Sequence, residues 1–172
     1  MNKLIVNQKE FWSKTGGDIW VKLQKAMDIT LYPLGNAALN KLNFSKDCNV
    51  LDLGCGCGST TIDIAYKIKS TGQVTGIDIS PTMLKRAAEN PNFNILNNIQ
   101  FKLLDAENDA LSNCRYNSVY SRFGVMFFEN SVKAFNNIYN SLSKNGEISF
   151  ICWQQPRLNP WQSLGMQTLK KY

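Results

Sequence analysis

The sequence contains no histidine, and none of its five cysteines forms a Cys-x-x-Cys pair. Protein metal sites draw mainly on these two residue types at short, fixed spacings, so we predict no metal centre. Cys55 and Cys57 could suggest a ligand pair, but no second pair accompanies them, and small side chains filling a loop are the better interpretation. An odd number of cysteines, mostly within apolar segments, predicts reduced thiols and a cytoplasmic protein.

Long apolar runs and basic clusters are also missing. No stretch approaches the roughly 18 consecutive apolar residues of a membrane helix, and a polar Asn-Gln-Lys-Glu run interrupts the N-terminus before a signal segment can form. We expect no membrane partner and no secretion. The net charge is +6, but the lysines are scattered and adjacent basic pairs occur only at 85–86 and 170–171. A clustered basic face is absent, which predicts no nucleic-acid partner.

The chain has 172 residues, of which 44% are apolar and 19% charged, an ordinary globular composition. We predict a single domain over residues 1–172, with a helical N-terminal approach over 1–46 and a core over 47–172. In the approach, Trp20, Leu23, Met27 and Leu31 recur at helical spacing, and Pro33 interrupts the pattern. Two short amphipathic helices are therefore expected.

From residue 49 onward, short apolar runs alternate with helical stretches. Strands are predicted near 49–54, 73–78, 99–105, 117–123 and 146–153. Helices are predicted at 59–70, after the Ser80 cap, from Ser131 to a stop at Asn145-Gly146, and from Asn159-Pro160 onward. This alternation predicts parallel βαβ units and a doubly wound α/β sheet. Ligands of such sheets bind at the carboxyl ends of the strands.

The strongest motif is VLDLGCGCGSTT, in which Asp52 precedes Gly54-x-Gly56-x-Gly58. Glycines there allow a tight strand-to-helix turn, and the motif could be no more than that. The dinucleotide fingerprint requires a glycine where Ser59 stands, and a carboxylate at Asp52 would repel a pyrophosphate. The amino group of a methionine moiety suits that position better.

Two further acids end the next two predicted strands. Asp78 could accept hydrogen bonds from both hydroxyls of a ribose, or it could be a solvated loop acid. Asp105, followed by the small Ala106, could accept from an adenine amino group, or it could cap the next helix. Together with the glycine turn, three acids at three successive strand ends are far more specific than any one of them.

Over residues 49–153 these motifs resemble the class I, Rossmann-like methyltransferases that depend on S-adenosylmethionine (SAM). The resemblance implies a mainly parallel sheet of order 3-2-1-4-5 and SAM as cofactor. In the family's terms Asp52 and the glycine loop surround the methionine part. The cofactor-binding residues so implied are Asp52, Gly54, Cys55, Gly56, Gly58, Asp78, Ile79, Met83, Asp105, Ala106, Arg122 and Phe123.

The segments SRFGVMFFEN and ICWQQPRLNPW further resemble the ubiquinone/menaquinone-type branch, which implies in-line methyl transfer to a small-molecule acceptor. The Asn/Asp-Pro-Pro-Tyr motif of amino-directed enzymes is absent. The family's usual C-terminal hairpin also has no counterpart in the sequence. We therefore expect the fifth strand to be an exposed edge. We also expect a homo-oligomer, formed through that edge or through the final helix, and weak or no turnover.

Two other functions are compatible with the same motifs. A non-catalytic module that binds SAM or a partner would share the glycine loop, and an NAD(P)-dependent oxidoreductase would share the ribose acid. Asp52, Ser59 and the lack of a Tyr-x-x-x-Lys motif count against the oxidoreductase. No catalytic base can be assigned. Trp12 could cover the cofactor as a lid or pack a helix, and Phe127, Phe128 and Trp153 are interpreted as core.

Overall fold

Five parallel strands form one sheet in the computed structural model, which describes residues 7–45, 47–68, 71–111 and 115–159. The order is β3-β2-β1-β4-β5. This confirms both the predicted fold class and the predicted strand order. The strands are β1 (Asn49–Leu53), β2 (Gln73–Asp78), β3 (Ile99–Leu103), β4 (Tyr116–Arg122) and β5 (Leu142–Ile151).

The helices follow local signals that are largely visible in the sequence. Ser80 accepts a hydrogen bond from Met83 N and Pro81 is the first helical residue, as predicted for α4. The α6 helix is capped by Asn130 and not by Ser131, because the Asn130 side chain accepts from Lys133 N. The helix predicted from Asn159-Pro160 lies outside the described residues. The helices are α1 (Gln8–Ser13), α2 (Thr15–Leu39), α3 (Ser59–Ile68), α4 (Pro81–Ala88), α5 (Pro91–Ile95) and α6 (Ser131–Ser141).

The N-terminal approach differs from the prediction of two short helices broken at Pro33. A single helix of 25 residues, α2, runs through the proline. A proline inside a helix costs about 3 kcal/mol, so contacts outside the helix must offset it. The Tyr120 hydroxyl donates to Gly35 O at 3.0 Å, and the Ser149 hydroxyl donates to Ala38 O at 2.7 Å. The sheet thereby holds the part of α2 beyond the proline.

The α6–β5 junction also differs from the prediction. The helix ends at Ser141 and β5 begins at the next residue, so Asn145-Gly146 is not the helix stop. The pairing of β5 with β4 shifts register after Leu142 and resumes at Glu147, and Asn145 has a φ of 65°. The Asn-Gly pair therefore forms an irregularity within the strand, where a left-handed residue is needed.

Apolar side chains cover both faces of the sheet and leave its carboxyl edge open. Alternation along β1 places Val50 against α3 and Leu51 on the opposite face, which α6 covers. The 25-residue helix α2 packs against α4 at one end and against β4 and β5 at the other. Among the described residues, no helix is long and apolar enough to cross a bilayer.

Candidate cofactor site

A cavity of about 770 Å³ lies at the carboxyl ends of the strands, under α1 and α2. Its size suits a ligand larger than a nucleoside. Ten of the twelve predicted cofactor residues line it, and Asp52 and Gly58 do not. The ten are Gly54, Cys55, Gly56, Asp78, Ile79, Met83, Asp105, Ala106, Arg122 and Phe123.

The glycine loop makes room for a ligand at one position. All three glycines have positive φ, which L side chains adopt only with strain. A Cβ on Gly56 would meet no atom closer than Met83 Sδ at 3.7 Å, so the space above it is open. By contrast, a Cβ on Gly54 would lie 2.9 Å from Gly124 Cα, and one on Gly58 would lie 2.7 Å from Phe101. Those two glycines allow close packing, and Gly56 opens the loop to the cavity.

Asp52 lies beneath the loop and is fully buried. The hydroxyls of Thr60 and Thr61 donate to its Oδ2 at 2.7 and 2.6 Å, and its Oδ1 accepts no hydrogen bond from the described residues. Burial raises the pKa of this carboxyl, although the two hydroxyls oppose the rise. Asp52 is outside the cavity lining, and its predicted contact with a ligand stays a prediction. Alternation along β1 turns Asp52 towards α3, where it holds the first turn of that helix.

Asp78 is a buried acid on the cavity wall and not a solvated loop acid. Its Oδ2 accepts from Gly56 N and its Oδ1 from Ser80 N, each at 2.8 Å. Burial raises the pKa of Asp78 to about 6, against the opposing effect of these main-chain donors. Each carboxylate oxygen retains capacity for another hydrogen bond. The side chain is thus held rigidly and can accept from two neighbouring hydroxyls.

Asp105 lies on the wall beyond the end of β3 and is already hydrogen-bonded. It accepts from Asn108 Nδ2 at 2.9 Å, from Glu107 N at 3.0 Å and from Lys9 Nζ at 3.3 Å. Burial raises the pKa of Asp105, but these donors outweigh burial and the net pKa is below its ordinary value. The residues that follow form a turn, so Asp105 does not cap a helix.

Aromatic residues that the sequence analysis left open or assigned to the core form part of the wall. Trp12 of α1 lies edge-on to Trp20 at 5.9 Å and to Phe127 at 4.9 Å, and it also lines the cavity. Both interpretations of Trp12, lid and packing residue, therefore agree with its position. Trp153 stacks on Phe123 at 4.4 Å. Phe127, Phe128 and Trp153 all line the cavity, and Phe128 also packs against the core.

The sequence motifs do not predict the contribution of α2 to the cavity. Met27, Thr30, Leu31 and Leu34 share one face of the helix and line the cavity. The helical spacing of Met27 and Leu31 was visible, but spacing alone does not distinguish a core face from a cavity wall. The neighbouring Asp28 was also missed, although it pairs with Arg122 at 2.8 Å.

The cysteines near the loop are neutral thiols at physiological pH. Burial is the largest cause that raises the pKa of Cys55 well above its ordinary value, and Asp78 and Asp52 add to it. Burial raises the pKa of Cys57 to about 12. Within the described part of the chain, histidine, cysteine and acidic side chains form no group that could hold a metal ion.

Fold and site together define a class. A parallel sheet of order 3-2-1-4-5, a glycine turn after β1 and a buried acid at the end of β2 are typical of Rossmann-like proteins that bind a cofactor containing adenosine. The additional acid after β3 and the open Gly56 lie along the same cavity.

Comparison with known proteins identifies the family. A family model described as a methyltransferase domain matches residues 44–165. Aklanonic acid methyltransferase DauC of Streptomyces sp. (strain C5) is 34% identical over 101 residues, covering 59% of this chain and 46% of DauC. The 23S rRNA (uracil(1939)-C(5))-methyltransferase RlmD of Alcanivorax borkumensis is 38% identical over 85 residues, covering 49% of this chain and 18% of RlmD.

A crystal structure assigned as a SAM-dependent methyltransferase from Methanococcus maripaludis matches with a TM-score of 0.69 at 23% identity. The match covers 96% of this chain and 74% of that one. The chain belongs to the methyltransferase-domain family, and its fold is that of the SAM-dependent methyltransferases it resembles. The chain spans less than half the length of either curated relative.

Proposed function

We propose that the chain binds SAM along the cavity and directs its methyl group to a small-molecule acceptor. The observation that carries the proposal is the coupling of Asp78 to Gly56. One buried carboxylate, placed to accept from two hydroxyls, is hydrogen-bonded to the loop residue whose missing side chain leaves space for the ligand. Asp78 therefore determines both where a ribose binds and where the loop lies that contacts the rest of the ligand.

The sheet order supports an orientation for the cofactor. Neighbouring strands lie about 4.8 Å apart, so the ends of β3, β2 and β1 succeed one another along the cavity. In this proposal Asp105 and Ala106 contact the adenine, with Ile79 and Met83 beside its ring. Asp78 binds the ribose, and the loop around Gly56 contacts the methionine part.

When bound, SAM supplies an electrophilic methyl group on a sulfonium. The protein has to orient the acceptor and exclude water, and orientation can contribute up to roughly 7 to 11 kcal/mol in ideal cases. The apolar face of α2 carrying Met27, Leu31 and Leu34, together with Met126 and Trp153, lines the cavity for this purpose. We assign no general base. Of the four described wall acids, Asp78, Asp105 and Glu107 already accept main-chain hydrogen bonds, and the fourth, Glu129, is exposed.

An RNA acceptor is the second candidate, because RlmD is named as an rRNA methyltransferase. The aligned region covers 18% of RlmD, which leaves most of that protein outside the comparison. The basic residues of this chain are dispersed along the sequence, and DauC is named for a small acid. These observations favour a small molecule.

Calorimetric titration with SAM, S-adenosylhomocysteine and NAD tests the cofactor part of the proposal. We expect SAM and S-adenosylhomocysteine to bind and NAD not to bind. Transfer of a labelled methyl group is then measured with panels of small apolar acids, phenols and amines, with rRNA as a separate arm. NAD binding tighter than S-adenosylhomocysteine would refute the proposal. SAM binding with no transfer to any acceptor would favour the non-catalytic module.

A further inference from the structure

The side of α2 that points away from the sheet exposes large apolar side chains. Ile19, Leu23 and Ile29 are 48%, 51% and 68% exposed, and none of the three lines the cavity. At about 100° per residue, they fall on the side of the helix away from Leu31 and Gly35, which are buried. An apolar surface of this kind on a folded domain marks a place of contact with a protein or a membrane.

Two lysines lie beside these apolar residues. Lys22 and Lys25 are exposed on the same side of α2, and neither forms an ion pair with the described residues. Asp18 is the acid on this side of the helix. The surface is therefore more positive than negative, in a chain whose net charge is +6. We call the following residues the outer face of α2: Ile19, Lys22, Leu23, Lys25 and Ile29.

The outer face adjoins the mouth of the cavity. Thr30 and Leu34 follow it along α2, and both line the cavity while remaining exposed themselves. Leu23 and Thr30 are two helical turns apart and lie almost in line along the helix. The outer face therefore leads directly to the rim of the cavity.

The combination of lysine with large apolar side chains indicates the kind of partner. Lysine is depleted where proteins contact one another. Lipid interfaces favour lysine, because its aliphatic stem lies along apolar surface while the ammonium reaches the headgroups. A folded protein on the outer face would also cover the rim of the cavity, whereas apolar molecules can enter the cavity from a lipid surface. Both considerations favour lipid over protein.

We propose that the outer face of α2 docks on a lipid surface with anionic headgroups. The three apolar side chains enter the boundary between headgroups and acyl chains, and Lys22 and Lys25 contact the anionic groups. The sequence predicts no membrane partner because it lacks spanning and signal segments, and docking on a surface requires neither. The proposal goes beyond the methyl-transfer function and does not depend on it.

Flotation of the full chain with lipid vesicles tests the proposal. Vesicles of phosphatidylcholine alone are compared with vesicles in which about 30% of the lipid is phosphatidylserine. One variant, Leu23→Gln/Ile29→Gln, removes apolar side chains from the outer face. A second, Lys22→Gln/Lys25→Gln, removes its positive charge. None of the four positions lines the cavity.

Matched control variants carry the same kinds of change elsewhere. Val132→Gln/Tyr139→Gln removes exposed apolar side chains from α6, and Lys133→Gln/Lys144→Gln removes two exposed charges from α6 and β5. The α6 helix covers the face of the sheet opposite α3, so its exposed side lies away from the outer face of α2. Thermal unfolding demonstrates that each variant is folded.

The wild-type chain should bind the phosphatidylserine vesicles and bind phosphatidylcholine alone about tenfold more weakly or worse. Lys22→Gln/Lys25→Gln should weaken binding to the phosphatidylserine vesicles about 10- to 30-fold, since each lysine near an anionic surface contributes about fivefold. Leu23→Gln/Ile29→Gln should weaken it about 10- to 100-fold through the loss of buried apolar area. The two control variants should change binding by less than about twofold.

Absence of wild-type binding to the phosphatidylserine vesicles would overturn the proposal. Equal losses in the outer-face variants and their controls would overturn it too, because attachment would then depend on the total charge or apolar area of the chain. If light scattering showed that Leu23→Gln/Ile29→Gln converts an oligomer to a monomer and no vesicle binding occurred, the outer face would be an interface between copies of this chain. Failure to bind SAM would refute only the proposed function, so the two failures are distinguishable.

Discussion

Asp78 is the residue on which cofactor binding should depend most. Asp78→Ala removes a charged acceptor for two hydroxyls and also the acceptor for Gly56 N and Ser80 N. We expect SAM affinity to fall by about 1.5 to 3 kcal/mol, measured by calorimetry. Asp18→Ala is the control, because Asp18 is exposed and lies away from the cavity wall. Unchanged affinity in Asp78→Ala would remove Asp78 from the site.

The raised pKa of Asp78 predicts two opposite pH dependences. Hydroxyl donors need the ionised carboxylate, so SAM affinity should rise with pH and change about tenfold between pH 5 and 7, around a pKa of about 6. The contribution of Asp78 to the free energy of unfolding should instead fall as pH rises. The folded state holds the proton more tightly than the unfolded state, whose value is 3.8, so this contribution is present below pH 4 and is lost as pH rises to 6.

Calorimetry measures the pH dependence of SAM affinity, and thermal unfolding measures that of stability, over the pH range just given. Asp78→Asn should remove both dependences. A SAM affinity that falls as pH rises would contradict the assignment.

The glycines of the loop should separate into two kinds. Gly56→Ala should lower the free energy of unfolding by about 1 to 2 kcal/mol, because alanine is strained in the left-handed backbone conformation. No further loss is expected, since a Cβ has space there. The substitution should lower SAM affinity about tenfold or more, because the methyl group occupies ligand space. Gly58→Ala adds overlap with Phe101 and Ala87, about 1 to 3 kcal/mol further, and should mainly destabilise the fold. Thermal unfolding and calorimetric titration of both variants check this. A loss mainly of stability in Gly56→Ala and mainly of SAM affinity in Gly58→Ala would contradict the assignment.

At the scale of elements, α1 covers the end of the cavity beside Asp105 through few contacts. Trp12 contributes edge contacts to Trp20 and Phe127, and each such pair is worth about 0.5 to 1.5 kcal/mol. Trp12→Ala should therefore speed SAM dissociation about 2- to 10-fold, and the loss of the two pairs should also lower the thermal midpoint by a few degrees. Stopped-flow fluorescence measures the rate.

Lys9→Ala is the comparison variant on the same helix. The ion pair of Lys9 with Asp105 is largely exposed on the lysine side, and such pairs contribute at most about 1 kcal/mol. Its dissociation rate should stay near that of the wild type. A larger effect in Lys9→Ala than in Trp12→Ala would show that α1 is held by charge.

At the scale of the whole molecule, β5 is an edge of the sheet within the described residues. Phe150 on this strand is 41% exposed, and an apolar edge invites pairing. Self-association through this edge remains a prediction, which light scattering over a wide concentration range would check. Phe150→Lys should shift the chain towards monomer. Ile95→Lys, an exposed position on α5, should not. A wild-type chain that is monomeric at all concentrations would contradict the prediction.

The sequence by itself determined the sheet and the positions of its acids. Alternating short apolar runs and capped helices leave few topologies, because parallel strands need right-handed crossovers, and the strand-end acids must then share one edge. Ten of the twelve predicted residues line the cavity for this reason. That the chain forms a single domain over residues 1–172 stays a prediction.

Only the tertiary structure decided the rest. The direction of Asp52, beneath the loop, depends on the register of β1 against α3. The continuity of α2 through Pro33 depends on hydrogen bonds from Tyr120 and Ser149, which are distant in the chain. The pairing of Asp28 with Arg122 joins residues 94 positions apart. Local patterns carry no information on such contacts, because their free energy arises only when distant elements pack together.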